Sequence, residues 1–181
     1  MSALIQMQPA VAQATPASIE PAQYLTFMLG GETYSIGILS IKEIIGYQNV
    51  TEVPMMPASV RGVINLRGAV VPVVDLLARF GRVSSPVTKR TCIVIVEVET
   101  GDERQVMGVT VDAVNEVLEI AASDIEPAPA FGARIRTDFI EGMGKVRGQF
   151  VILLNVNHVL SVGELEAVES FAAGMPMAPA A

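Results

Sequence analysis

Apolar and polar positions alternate in short runs along the chain, and one arrangement of runs occurs twice. Residues 62–76 read as an apolar strand, an Arg-Gly pair, a second apolar strand and an Asp. Residues 142–156 repeat this order at an offset of 80 residues, with Asn in place of Asp. Alternating apolar positions bounded by glycine are typical of β-hairpins. The pattern therefore predicts two related β units.

The Arg-Gly pairs, Arg67-Gly68 and Arg147-Gly148, are predicted to form the turns of equivalent hairpins. A two-residue turn between antiparallel strands needs positive φ angles, which glycine adopts without steric cost. If either pair lay inside a helix or in the middle of a strand, the duplication would be wrong.

A second pair of matching segments lies upstream of these hairpins. Hairpins are predicted around residues 25–38 and 92–109, each with glycine at or near its turn. Each is followed by a β-branched segment, which carries Glu43 in the first half and Glu116 in the second. The two halves thus match element by element.

The ends of the chain differ in composition from the rest. Residues 1–22 and 171–181 are rich in Ala and Pro, and we expect both to be disordered tails. Between them, residues 23–170 are expected to form the folded domain. Ser161 and Glu164 have the spacing of a capping box, which predicts a C-terminal helix that packs back on the β units.

Composition limits the class of function. Of the 181 residues 51% are hydrophobic, which is sufficient for a packed core, but no apolar run is long enough to span a membrane. The net charge of −7 and the 5% aromatic content argue against a nucleic-acid partner. The first basic residue is Lys42, so the N-terminal segment lacks the basic region of a secretory signal, and we expect the protein to be cytoplasmic.

The residues that usually carry chemistry are few. His158 is the only histidine and Cys92 the only cysteine, so no Cys/His metal cluster can form and no cofactor is predicted. Cys92 alternates with valines and is interpreted as a buried, inert thiol, and His158 as a helix-end residue. Asp75 and Asn155 stand in equivalent places, which favours helix capping over catalysis. The chain is therefore not predicted to be an enzyme.

Arg67 is the strongest candidate for a functional side chain. Its neighbours are mostly apolar, so its guanidinium must find a carboxylate or carbonyl groups, either within the chain or on another protein. Pro72 follows in the second strand of the same hairpin and predicts an edge strand or a bulge, because proline cannot donate a ladder hydrogen bond. Ile152 replaces it in the second copy.

Residues 53–76 resemble the signature of the CheW family, the coupling proteins of bacterial chemotaxis. The resemblance extends from about residue 24 to about residue 169. It also includes residues 37–44, 107–118, 127–129 and 142–155.

The resemblance implies an all-β fold of two related five-stranded β-barrels packed side by side, with a hydrophobic groove between them. Each barrel is expected to form mainly from one half of residues 23–170. It also implies a non-catalytic adaptor, recruited to membrane-associated arrays without inserting into the membrane. The implied partners are the cytoplasmic tips of methyl-accepting chemoreceptors and the regulatory domain of the histidine kinase CheA. By similarity, the partner-contacting positions are Ile38, Ile41, Glu43, Gly62, Arg67, Val109 and Val117.

The family also occurs fused to receiver and kinase domains, but too few residues flank the matched region for either, so a stand-alone protein is expected. Two other functions remain open. The chain could serve a paralogous pathway such as surface motility, or it could be a β-barrel that binds a small ligand. In the second case the barrel would need an interior cavity, whereas the short strands are expected to fill their interior with Val, Ile and Leu.

Overall fold

The structure is a computed structural model that describes residues 21–128 and 137–161. Residues 1–20, the predicted C-terminal helix beyond Ser161 and the tail from residue 171 lie outside these ranges. The strands are β1 (Ala22–Leu29), β2 (Glu32–Gly37), β3 (Ile41–Gly46), β4 (Val60–Leu66), β5 (Ala69–Asp75), β6 (Cys92–Thr100), β7 (Glu103–Val111), β8 (Ala113–Ile120), β9 (Ile125–Glu126), β10 (Ile140–Val146) and β11 (Gln149–Leu154). The helices are α1 (Leu76–Arg79) and α2 (Val156–Val159), and 3-10 turns cover Ile38–Ser40, Ala122–Asp124 and Thr137–Phe139.

The strands form two sheets, which confirms the predicted all-β fold of two units. Sheet A has the order β8-β1-β2-β11-β10-β9, and sheet B has the order β3-β6-β7-β5-β4. The halves of the chain exchange their first hairpins: β1 and β2 join strands of the second half, while β6 and β7 join strands of the first half. Each exchanged hairpin pairs in parallel with a strand of the other half: β2 with β11 in sheet A, and β7 with β5 in sheet B. The sequence pattern did not predict this exchange.

The apolar side chains form three clusters. One cluster lies within sheet B and includes Ile64, Val71 and Ile95, and another lies within sheet A and includes Ile120 and Leu153. The largest cluster lies between the sheets and joins side chains of both. Its members include Leu25, Phe27, Tyr34, Ile36, Val74, Val94, Val96, Val109 and Val111. Burial of this third cluster holds the two units together.

Both Arg-Gly pairs form the predicted hairpin turns. The φ angles are 52° at Arg67 and 89° at Gly68, and 51° at Arg147 and 81° at Gly148. Two successive residues with positive φ are typical of a type I′ turn, whose twist suits antiparallel strands. The duplication inferred from the offset is therefore confirmed at the level of backbone geometry.

The predicted helix caps are also confirmed. The Asp75 side chain accepts a hydrogen bond from the Ala78 amide, and the Asn155 side chain accepts one from the His158 amide, both at 3.2 Å. His158 lies in α2 as expected. Each cap gives an amide at the start of a one-turn helix a side-chain acceptor, and the His158 amide also donates to the Asn155 carbonyl at 3.1 Å.

Two local predictions need correction, one of them only in part. Cys92 is partly buried rather than fully buried; it is the first residue of β6 and lies opposite Gly46, the last residue of β3, which has no side chain to cover it. Of the two alternatives predicted for Pro72, the edge strand is wrong, since β5 lies between β7 and β4. A register shift typical of a bulge does occur in the β4–β5 ladder, between Val60 and Gly62, next to the pair of Val63 and Pro72. The ladder of β5 with β7 begins at Val73, so Pro72 lies just outside that ladder.

Candidate partner-binding surface

An ion pair between Arg67 and Glu43 lies at one end of sheet B. The two guanidinium nitrogens, Nη1 and Nη2, each donate to one oxygen of the Glu43 carboxylate at 2.7 Å. Glu43 belongs to β3 and Arg67 to the β4–β5 turn. The pair therefore connects β3 with the hairpin that contains β4, and β3 and β4 are the two edge strands of sheet B. The hydrogen bond from Arg67 lowers the pKa of Glu43, and Glu43 in turn raises the pKa of Arg67. The sequence left open whether the Arg67 guanidinium binds a group within the chain or on another protein, and in the structure it binds Glu43 of the same chain.

The Arg67–Glu43 pair has a fixed orientation and is accessible to solvent. The Arg67 side chain is 71% exposed, while that of Glu43 is 29% exposed. A bidentate guanidinium–carboxylate pair fixes the orientation of both groups. Arg67 can therefore present its remaining donors to a partner from a defined position.

Sheet A contains an equivalent but looser pair. Arg147 lies in the β10–β11 turn, and its Nη1 is 3.6 Å from the Glu116 Oε2 on β8. Both of these side chains are more than half exposed. At this distance the contact is electrostatic rather than a hydrogen bond, so the orientation of Arg147 is less restricted.

A groove of about 360 Å³ adjoins the Arg67–Glu43 pair. Its apolar lining includes Val70, Pro72 and Val106, and Val70 is 74% exposed. Lys42 and Arg104 add positive charge to the same lining. The groove thus combines apolar surface with three basic side chains, each paired with a carboxylate: Arg67 with Glu43, and Lys42 and Arg104 with Glu97.

Ile38 and Ile41 occupy a different place, next to the cluster between the sheets. Both are partly buried and pack against that cluster. Between them, Leu39 is 98% exposed and lines a recess with Tyr24 and Glu141. Burial, with a smaller contribution from the charge of Glu141, raises the pKa of Tyr24. The recess therefore places an accessible apolar side chain beside a carboxylate.

The remaining predicted positions differ in exposure: Val117 is exposed, whereas Val109 and Gly62 are buried. Val117 is exposed on β8, opposite Leu25 in the β1–β8 ladder. Val109 is fully buried in the cluster between the sheets, and Gly62 is buried against the backbone of Thr51. Gly62 has a φ of 147°, and an added Cβ would clash with the Thr51 carbonyl oxygen. Val109 and Gly62 therefore support the surface from inside.

Several exposed apolar residues were not singled out in the sequence. Among the described residues they include Leu39, Ile44, Val70 and Phe150. A signal for three of them was present, because Ile44, Val70 and Phe150 each precede another apolar residue in a strand, and successive strand residues face opposite sides. One of two adjacent apolar residues then faces away from the cluster of its own sheet, where it is either exposed or covered by the other sheet, as Val74 is. Val70 and Phe150 are related by the 80-residue offset and are exposed alike.

The described residues, 21–128 and 137–161, contain no group of three or more His, Cys, Asp or Glu side chains that could hold a metal ion. Within the same ranges no helix is long and apolar enough to cross a membrane. What the surface does present is exposed apolar side chains beside a fixed ion pair. Such a combination is typical of a protein-interaction module.

The chain belongs to the CheW-like domain family, whose match covers residues 23–164. The chemotaxis protein CheW of Klebsiella aerogenes is 34% identical over 150 residues, which cover 83% of this chain and 88% of that protein. The chemotaxis protein CheW of Rhizobium meliloti is 34% identical over 145 residues, which cover 80% and 91%.

A solved structure agrees with this assignment. The scaffolding protein TtCheW from Thermoanaerobacter tengcongensis is similar to this chain with a TM-score of 0.71 and 32% sequence identity. The match covers 87% of this chain and 95% of that protein. The similarity thus extends over most of the chain.

Proposed function

We propose that this chain is a non-catalytic adaptor of bacterial chemotaxis. It couples the cytoplasmic tips of methyl-accepting chemoreceptors to the regulatory domain of the histidine kinase CheA, at the cytoplasmic face of the membrane. The proposal is supported by membership of the CheW-like domain family and by relatives whose names describe chemotaxis and scaffolding proteins.

The observation that carries the proposal is the Arg67–Glu43 pair beside exposed Val70. Arginine is enriched at protein interfaces and among their hot spots, where a guanidinium can hydrogen-bond a partner while apolar neighbours such as Val70 exclude water. Glu43 holds Arg67 in one orientation before any partner binds. Preorganisation of this kind reduces the entropy cost of association. Exposed Val117, Leu39 and Ile44 extend the proposed contact surface.

A small-ligand-binding barrel is less well supported. Such a protein needs an interior cavity, yet each sheet has its own apolar cluster, with Val71, Val73 and Ile95 in sheet B and Val151 and Leu153 in sheet A. Side chains of this size fill a small barrel. The same adaptor role in a paralogous pathway would use the same surface, and the identity of the receptor that binds would distinguish the two.

Binding and coupling can be tested with the full chain, the regulatory half of CheA and a soluble receptor-tip fragment from the same cell. The chain should retain both proteins in a pull-down and should restore receptor control of kinase activity in a reconstituted array. We expect Arg67→Ala to weaken coupling by about ten- to a hundredfold, the loss expected when a charge-assisted contact at an interface is removed.

Arg147→Ala is the matched control, because it removes the same side chain from the equivalent turn of sheet A. It should weaken coupling less. Melting curves of both variants should stay close to that of the unmodified chain. Equal losses for both variants, or a loss explained by unfolding, would return Arg67 to a purely structural role. Failure to retain CheA or receptor, combined with stabilisation by a metabolite, would favour the ligand-binding alternative.

A further inference from the structure

Two adjacent methionines lie in the loop between β3 and β4. Met55 is 77% exposed and has a φ of 66°, a left-handed backbone conformation that residues other than glycine rarely adopt. Met56, the next residue, is also exposed. Both line a surface cavity of about 440 Å³ together with Tyr47 and Arg61. This part of the surface lies outside the groove proposed for partner binding.

The base of the loop is held in place. Thr51 and Val63 exchange two backbone hydrogen bonds of 2.9 Å, and the Val60 amide donates to the Pro57 carbonyl at 2.9 Å. The methionine pair therefore projects from a fixed base rather than from the core. A chemical change at its thioethers would act on the cavity and leave the sheet ladders intact.

The other methionines within the described ranges are better protected. Met107 is 2% exposed in the cluster between the sheets. Met28 is partly buried, and its sulfur accepts a hydrogen bond from the Thr33 hydroxyl at 3.4 Å. Met143 is partly buried on β10. Access to sulfur thus differs strongly between Met55 and Met107.

We propose that Met55 and Met56 form a reversible oxidation site for peroxide-class oxidants. The thioether sulfur attacks one oxygen of hydrogen peroxide, the O–O bond breaks, and the products are methionine sulfoxide and one water molecule. The sulfur loses two electrons and the peroxide gains them. Methionine sulfoxide reductases, which use a thiol reductant, return the sulfoxide to the thioether with release of water.

The cavity gives this oxidation a local consequence. A sulfoxide replaces an apolar sulfur with a polar S=O group that is a strong hydrogen-bond acceptor. Arg61 lines the same cavity, where its Nε and Nη2 donate to the Asp75 carboxylate at 3.1 and 2.9 Å and its guanidinium lies 6.0 Å from the centre of the Tyr47 ring. The new acceptor would change the surroundings of this guanidinium. Oxidation should therefore be visible at Arg61, which lines the same cavity.

The test treats the full, folded chain with hydrogen peroxide and follows sulfoxide at each methionine by peptide mass spectrometry. We expect Met55 to oxidise at least about tenfold faster than Met107, with Met28 and Met143 between them, because oxidation follows exposure of the sulfur. In denaturant the rates should converge. Addition of methionine sulfoxide reductases and a thiol reductant should remove the sulfoxide from both loop positions.

The second readout is the nuclear magnetic resonance signal of the Arg61 Nε–H group. It should shift when the chain is oxidised and return after enzymatic reduction. In a chain carrying Met55→Leu and Met56→Leu the same peroxide treatment should leave it unchanged. Oxidation of Met55 no faster than that of Met107, sulfoxide that the reductases fail to remove, or an equal shift in the double variant would each overturn the proposal.

Discussion

The two hairpins with Arg-Gly turns have the same backbone but different ion pairs. Arg67 and Arg147 have φ angles of 52° and 51°, yet Arg67 makes two 2.7 Å hydrogen bonds to Glu43, whereas Arg147 is 3.6 Å from Glu116. The turn geometry follows from local dihedral preferences and persists in both copies. The ion pair depends on two side chains and on the strand opposite, so it differs between them. Similar turns therefore do not imply similar surfaces.

A second difference lies at the other end of the same hairpins. In sheet B, Asp75 caps α1 with one carboxylate oxygen and binds Arg61 with the other, and its side chain is almost fully buried. In sheet A, Asn155 occupies the position equivalent to Asp75, and Glu141 the position equivalent to Arg61. Asn155 therefore makes the cap without an ionic partner. Sheet B thus has a buried ion pair beneath its hairpin where sheet A has an amide cap alone.

The largest expected difference concerns the glycines in the bulges of β4 and β10. Gly62→Ala should lower the free energy of unfolding by at least about 4 kcal/mol, because the new Cβ would meet the Thr51 carbonyl in a backbone conformation that alanine rarely adopts. Gly142→Ala should cost less, about 1 to 3 kcal/mol, because Gly142 lies outside the positive-φ region and its Cβ would meet the Ile125 Cγ2 at 2.6 Å and the Glu126 carbonyl oxygen at 3.1 Å, both farther away than the Thr51 oxygen is from a Cβ at Gly62. Urea unfolding of both variants measures the difference. Equal losses would contradict the added cost of the positive φ and of the closer backbone contact at Gly62.

The caps should differ by a smaller amount. Asp75→Ala should cost about 3 kcal/mol, because it removes a helix cap and leaves the mostly buried Arg61 guanidinium unpaired. Asn155→Ala removes a cap alone and should cost about 1 kcal/mol. Thermal or urea unfolding of the two variants gives the comparison. If Arg61→Ala combined with Asp75→Ala were no more stable than Asp75→Ala alone, the unpaired guanidinium would not explain the excess.

The smallest effect is the titration of Glu43. Its pKa is lowered from the ordinary value of 4.5, chiefly by the hydrogen bond from Arg67. A folded-state pKa below the unfolded one means that the contribution of the pair to stability is present above pH 4.5 and is lost as the pH falls through the lowered value. In Arg67→Ala the pKa of Glu43 should rise towards 4.5, while in Arg147→Ala it should stay lowered.

Carbon-detected nuclear magnetic resonance of the Glu43 carboxylate follows this titration directly. The unfolding curves of the unmodified chain and of Arg67→Ala should approach each other as the pH falls through the lowered pKa of Glu43. An unchanged Glu43 titration in Arg67→Ala would mean that the pair does not persist in solution.

Much of the local structure was predictable from the sequence. The two hairpin turns, the caps at Asp75 and Asn155 and the placement of His158 in a short helix all depend on residues a few positions apart. The resemblance to the CheW family was likewise carried by short motifs in order, and the family match confirms it.

The arrangement of the proposed partner-contact positions was predictable only in part. Glu43 and Arg67 were both named, but nothing in the sequence showed that they bind each other across the ends of sheet B. Val109 and Gly62 resemble contact positions yet lie inside. Whether Val109 faces solvent or the other sheet depends on which strands cover it. That information comes from the whole fold.

The sequence by itself determined the repeated units, their strands and their turns, because hydrophobic alternation, glycine dihedrals and capping side chains act within a few residues. The tertiary structure alone decided the exchange of the β1–β2 and β6–β7 hairpins between the sheets. It also decided the bidentate Arg67–Glu43 pair and the exposure of Leu39. Strands far apart in the chain pair because their pairing buries the apolar cluster between the sheets. Both halves of the chain contribute side chains to this cluster, so no local segment determines the pairing.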